Sequence, residues 1–295
     1  MHSPIFTRSI LSSPILKWML LTALLTGCSS TSLVYNNADW LVRGQIDDYF
    51  PLSGSQQQQV KADIDTIFQW HRQQELAEYS DLLNQFTQQY ADGLTSEEID
   101  FFFDKISAAR IRLVETIIPK ASQFLSTVSI KQIDNYDRIF LEKRDERVKK
   151  LNMPAEEYID KNFADLIENL EDWFGDFDEE QVAQLRVMSD ARPDNRHYWF
   201  ERSKLRHLEF SNLLRSQPSK ETIELYLRDR FVALKRADAQ EHDISRQSQL
   251  FWLSTLLSID EIIIPKQRQY FISRVSDYSS DFLELSKQFI SSNER

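Results

Sequence analysis

Glycine is scarce. The 295 residues contain five, and there is a single cysteine, Cys28. No G-x-G-x-x-G, P-loop or G-x-S-x-G occurs, so the common nucleotide cradles and the nucleophile elbow are excluded. One cysteine excludes an intramolecular disulfide framework and any multi-cysteine metal site. Long apolar runs are missing as well. The run 18–25, WMLLTALL, falls far short of the roughly 20 apolar residues a membrane-spanning helix needs. Period-two alternation of apolar and polar residues is nearly absent, which argues against strands. Charge is unbalanced toward acid, at a formal −11, so the body as a whole has no attraction for nucleic acid or anionic lipid.

What is present near the N-terminus is an address. The apolar run follows Arg8 and Lys17, no acidic residue precedes Asp39, and small Gly27 sits where cleavage would fall, which are the parts of a secretory signal. Leu25-Thr26-Gly27-Cys28 resembles a bacterial lipobox. The resemblance implies a signal peptide over 1–27, diacylglyceryl transfer to the Cys28 sulfur, and acylation (typically palmitate) of the new N-terminus. Each buried methylene contributes about 0.8 kcal/mol, so several acyl chains anchor a protein where one is marginal. Ser29, in place of an aspartate, resembles an outer-membrane address. Residues 28–52 then form the lipidated cysteine, a short tether Ser29-Ser-Thr-Ser32 and an N-terminal segment. Residues 53–295 form an all-helical periplasmic domain. An ordinary signal peptide with a chance cysteine is the competing reading.

The expected fold class is all-α. Ser53-x-x-Gln56, Thr95-x-x-Glu98, Ser129-x-x-Gln132 and Ser258-x-x-Glu261 are capping boxes, Asp178-x-x-Gln181 is a close variant, and Ser219 is a weaker start. Gly93 suits a helix C-terminus, Pro119 should kink or end the helix begun at Thr95, and Pro154 and Gly175 bracket a helix ending at Phe174. Residues 55–91 and 219–257 have no internal Gly or Pro and read as long helices. Phe271, Val275, Tyr278, Phe282, Leu285 and Phe289 form a heptad seam that needs a partner helix. Two arrangements are open: an elongated bundle of long antiparallel helices, or an irregular α-solenoid whose repeat is near forty residues.

Three stretches, "LVYNNADWLVRGQIDDYF" at 33–50, "WHRQQELAEY" at 70–79 and "WFGDFDEEQ" at 173–181, together resemble an uncharacterised family of proteobacterial lipoproteins known only as a domain of unknown function. The resemblance implies a helical envelope lipoprotein. It transfers no catalytic residue, because the family carries no established activity.

His71 and Glu75 stand out among the candidate residues. They fall on the apolar stripe of the 55–91 helix, where ionisable groups need partners or must become neutral. They are either a weak catalytic or metal-ligand candidate or part of a buried charge network that fixes register. Arg110 projects from the apolar face of the next helix. Glu75 lies 18 residues before Gly93 and Arg110 lies 17 after it, so a hairpin turning there makes Arg110 the expected partner of Glu75, with His71 nearby. Residues 165–180 carry eight acidic and no basic residues, but lack the order of a calcium loop. Arg192, Arg196, Arg202, Lys204 and Arg206, interleaved with His197, Trp199 and His207, read either as a face pairing with that acidic segment or as a site for the phosphates of lipid headgroups or lipopolysaccharide.

These features lean toward a non-enzymatic scaffold or adaptor, lipid-anchored in the outer membrane. Its partners would be the membrane, through acyl chains on Cys28, and envelope proteins; no cofactor or metal is expected. An acid/base or metal-dependent enzyme using His71 and Glu75, and a carrier of an apolar ligand, are the alternatives.

Overall fold

A computed structural model of the chain describes residues 27–293. These form helices joined by short turns, with no strand among the described residues, so the protein is all-α. Helix α1 spans Gly27–Tyr49 and includes both Cys28 and the Ser29–Ser32 stretch; Leu25 and Thr26 of the lipobox lie outside the described residues. Helix α2 (Gly54–Trp70) passes through a π-helical segment, His71–Glu75, into α3 (Leu76–Gln89), which closes with a 3-10 turn at Tyr90–Asp92. Then come α4 (Ser96–Leu125), α5 (Ile130–Leu151), α6 (Ala155–Phe174), α7 (Glu179–Asp190), α8 (Arg196–Arg215), α9 (Lys220–Phe231), α10 (Ala239–Ile262) and α11 (Pro265–Asn293). No described helix is long and apolar enough to cross a membrane.

Local chemistry sets most of these boundaries. Ser53 with Gln56, Thr95 with Glu98, Ser129 with Gln132 and Asp178 with Gln181 close as capping boxes. Some of the glutamines also tie helix starts to other elements. Gln132 Nε2 donates to Pro51 O at 2.9 Å and to Gln56 Oε1 at 2.8 Å, and Gln181 Nε2 donates to Ile262 O at 2.8 Å. Gly93 turns the chain at φ +113°, where a Cβ would meet the Asp260 carboxylate at 3.1 Å.

Two expectations fail here. Ser258 lies inside α10 and caps nothing; that helix starts at Asp238, whose carboxylate accepts the Glu241 N–H at 2.7 Å. The helix expected over 219–257 breaks between α9 and α10, where Leu234 adopts φ +53° without any Gly or Pro to announce it. Of the two outcomes open to Pro119, a kink or an end, the end does not occur: α4 continues to Leu125.

The tertiary pairing is nested: α3 packs on α11, α4 on α9, and α5 on α8, while α1 packs against α2, α5 and α11. The heptad seam of α11 faces α3, with Val275, Tyr278 and Leu285 buried and Ser80 and Ser279 sharing a buried hydroxyl hydrogen bond of 2.9 Å. The side chain of Phe289 lies outside the described residues. One core gathers Ile118, Ile133, Leu214 and Ile223. A second gathers Tyr90, Phe174, Leu185 and Ile259, with Phe271 stacked on Phe174 at 4.7 Å.

Candidate functional site

His71 and Glu75 are the two ends of the π-helical segment, in which the Leu76 N–H reaches back to His71 O. Inserting a residue into a helical turn re-aims its side chains, and such bulges are frequent at functional sites. Here the bulge turns Glu75 into the seam between α2–α3 and α4, where it is 2 % exposed. Antiparallel contacts lead up to it: Gln56 Nε2 donates to Thr127 Oγ1 at 3.1 Å, and Lys120 lies 3.0 Å from Asp63.

The partner of Glu75 is Arg112. Its Nε donates to Oε1 at 2.7 Å and its Nη2 to Oε2 at 2.8 Å, the bidentate geometry that guanidinium and carboxylate favour. The nearby Tyr79 hydroxyl also helps to lower the pKa of this carboxylate. The Arg112 guanidinium holds the Glu75 carboxyl below the usual carboxylate range, against the opposing effect of burial. Arg110, expected in this role, instead donates from Nη1 to Phe231 O at 2.9 Å, satisfying one of the free carbonyls at the end of α9. Counting from Gly93 fixed the height to within a residue, but Arg110 and Arg112 point nearly opposite ways around a helix. The face was misjudged because α4 buries Phe102 and Ala109 and leaves Ile106 58 % exposed.

His71 is tied down from the other side. Its Nδ1 lies 2.8 Å from the Tyr35 hydroxyl, and its ring stacks on Tyr35 and meets Tyr79 edge-on. Burial lowers the His71 pKa, opposed by the charge of Glu75, and pushes the Tyr35 phenol up to about 12. The consistent assignment is a Tyr35 O–H donating to Nδ1 of a neutral imidazole that carries its proton on Nε2. Arg72 donates to Asn36 Oδ1 at 2.8 Å and sits over the Tyr35 ring. Two of the three stretches that carry the family resemblance therefore fold against each other. Among the described residues no group of three His, Cys, Asp or Glu side chains is placed to hold a metal, so neither His71–Glu75 nor the segment 165–180 assembles one.

A model of a family of unknown function, DUF6279, matches residues 48–238. The chain belongs to DUF6279. The match takes in the π segment and Arg112 and begins after Tyr35 and Asn36. No curated protein and no solved structure gives a significant match.

Two polar groups escaped the sequence reading. Asp137 on α5 lies 2.9 Å from His207 Nε2 and accepts from Ser211 at 3.0 Å and Arg215 at 2.6 Å. The spacing His207, Ser211, Arg215 puts all three on one face of α8, which is the signal that could have found it. The His207 ring lies flat on Phe140 at 3.7 Å, and burial lowers its pKa. The second group surrounds buried Glu241: Arg202 Nε donates at 2.8 Å, Arg206 also donates, and Arg230 stands 3.7 Å away. The basic run therefore does not pair with the acidic segment 165–180. Arg196 takes Asp194, Lys204 takes Glu201, and Arg202 and Arg206 take Glu241.

Proposed function

We propose that this DUF6279 protein is a lipid-anchored protein of the cell envelope, held through acyl chains on Cys28 in the outer membrane, and that its helical body serves as a non-enzymatic scaffold or adaptor facing the periplasm. The observation that carries the reading is Leu25-Thr-Gly-Cys28, which contains the sole cysteine and directly follows a signal-like segment. Helix α1 contains Cys28 and packs onto α2, α5 and α11. On this reading the anchor joins the body through a helix, which fixes the body's attitude to the bilayer more closely than a loose tether would. Exposed Leu33 and Trp40, seven residues apart on α1, suit a surface near lipid, where tryptophan is favoured.

The enzyme alternative gains little support from the site. Both oxygens of Glu75 are occupied by Arg112, and Nδ1 of His71 is occupied by Tyr35, so neither group is poised for proton transfer to a substrate. The test of the proposal is metabolic labelling with a radioactive fatty acid, followed by separation of inner and outer membranes. Wild type should label and sediment with the outer membrane, and Cys28→Ser should do neither. Equal labelling of the two would remove the anchor from the argument.

A further inference from the structure

Helices α5, α6, α8 and α10 and the 191–195 turn enclose a cleft of about 390 Å³, within the range of small-ligand sites. Its walls are largely apolar and aromatic, with Tyr158, Trp199 and Trp252 among them, and its cations are Arg147, Lys150, Arg192 and Arg196. Asp194 is the one acidic residue that lines it, and Arg196 occupies Asp194 with paired contacts. The other three cations have no carboxylate within ion-pair distance among the described residues. In this chain of net charge −11 most described arginines outside the cleft meet an acid, whereas many lysines do not, so the two bare arginines are the distinguishing feature.

The way the cations are held adds to this. The guanidinium of Arg192 lies over Trp252 at 5.4 Å and that of Arg147 over Phe140 at 4.5 Å. A guanidinium held by its flat face keeps its in-plane N–H donors directed outward. Besides Phe140, Arg147 makes a long 3.5 Å hydrogen bond from Nη1 to Ser203 Oγ. One arginine is enough to neutralise a carboxylate, as Arg112 does Glu75; Glu241, which draws two with a third nearby, is buried at the centre of its cluster. Three unneutralised cations instead match a phosphate group, with its charge of about −1.5 to −2 and three acceptor oxygens. Exposed Trp199 and Trp252 supply the apolar half of the recognition.

We infer that this cleft binds an organic phosphate that carries an apolar portion, with the phosphate on Arg147, Lys150 and Arg192 and the apolar portion against Trp199 and Trp252. The inference stands apart from the Cys28 anchor, and a negative labelling result leaves it untouched. Isothermal titration calorimetry on the full chain tests it with three probes: dihexanoyl phosphatidate, dihexanoyl phosphatidylcholine and inorganic phosphate. Phosphatidate should bind at least tenfold more tightly than the other two, and more weakly as salt rises. Lys150→Gln with Arg192→Gln should weaken it tenfold or more, while Lys131→Gln, on an exposed face of α5 away from the cleft, should change nothing. Lys150 and Arg192 are both exposed, so the double variant should keep its helical dichroism and melting temperature; if it does not fold, Arg192→Gln alone should weaken binding about threefold. Inorganic phosphate binding as tightly as phosphatidate would mean a free-anion site and overturn the amphiphile. Equal binding of phosphatidylcholine, no binding of phosphatidate, or unchanged affinity in the folded variants would overturn the site altogether.

Discussion

The π segment at His71–Glu75 and the cleft at Arg147–Arg192 are both rich in charge and aromatic rings, yet they are finished differently. In the first, each group has an answer from within the chain: Glu75 from Arg112, His71 from Tyr35, Arg72 from Asn36. In the second, three cations line one cleft, two of them over aromatic rings, with no carboxylate to neutralise them. A closed network costs little to keep and has nothing to offer a ligand. An open set of like charges repels itself until something binds. The residues that looked most like a site in the sequence are the closed ones: here an ionisable residue on an apolar face marks a network answered from within the chain.

The largest effect expected from breaking a closed network is at Glu241, which is buried against Arg202 and Arg206 with Arg230 close by. Glu241→Ala strands clustered guanidiniums and also loosens the α8–α10 contact. The loss should be about 3–5 kcal/mol in urea unfolding, the range for removing one partner of a buried pair. A loss below about 1 kcal/mol would mean that solvent screens the cluster and that it does not belong with the closed class.

Arg112→Met comes next. Arg112 is half exposed, so water takes over part of its role and the expected cost is about 2 kcal/mol, short of the figure for a wholly buried pair. Glu75→Leu together with Arg112→Met should recover most of that loss, giving a coupling near 1 kcal/mol or more in a double-mutant cycle. Arg110→Met, which removes one bond to a carbonyl, should cost about 1 kcal/mol and show no coupling to Glu75.

Acid should also act on the closed networks. Burial depresses the pKa values of both His71 and His207 below the ordinary 6.5. Below that value the unfolded chain binds protons that the folded chain refuses, so stability is full above about pH 6.5 and falls as pH drops toward the folded values. Glu75, also depressed, extends the loss to lower pH. Replacing His207 with Phe, a flat ring between Phe140 and Tyr136, should flatten the first part of the melting-temperature profile. An unchanged slope from pH 7 to 5.5 would show that the histidines do not govern it.

Helix identity was legible in the sequence because caps act over three residues. Four of the five proposed boxes close, and Pro154, Gly175 and Gly93 fall where their backbone preferences require. The break at 232–238 was not legible: no Gly or Pro marks it, and Leu234, an exposed residue, takes a left-handed conformation there. The π segment was hidden for a similar reason, since one extra residue in a turn leaves the hydrophobic period almost unchanged. That hidden turn, and the true buried face of α4, decided between Arg112 and Arg110. The cleft was half visible. The basic run with its interleaved tryptophan was in view, but its walls come from α5, α6 and α10, and no local pattern shows that Arg147 and Lys150 join Arg192 there.

The smallest expected effect is at the cleft, and it separates the two regions most cleanly. Arg192→Gln removes an exposed cation that has no carboxylate partner and leaves a shorter, neutral side chain that does not carry a guanidinium over Trp252. What is lost is an exposed cation–π contact of about 0.5–1 kcal/mol. What is gained is relief from the charges of Arg147 and Lys150 in the same cleft. The two effects oppose each other, so the net change in unfolding free energy should lie within about 0.5 kcal/mol of zero, as for surface positions outside any network. The sign should depend on salt. At low ionic strength the repulsion is strongest and the variant should be level with wild type or slightly more stable. At high ionic strength the repulsion is screened and the variant should fall slightly below. Arg112→Met should show the reverse, since screening weakens the attraction it removes. Melting temperatures of both variants across a salt series decide the matter. If Arg192→Gln is destabilising by more than about 1 kcal/mol at low salt, then Arg192 is a structural residue like Arg112 and the cleft is not an open set of charges.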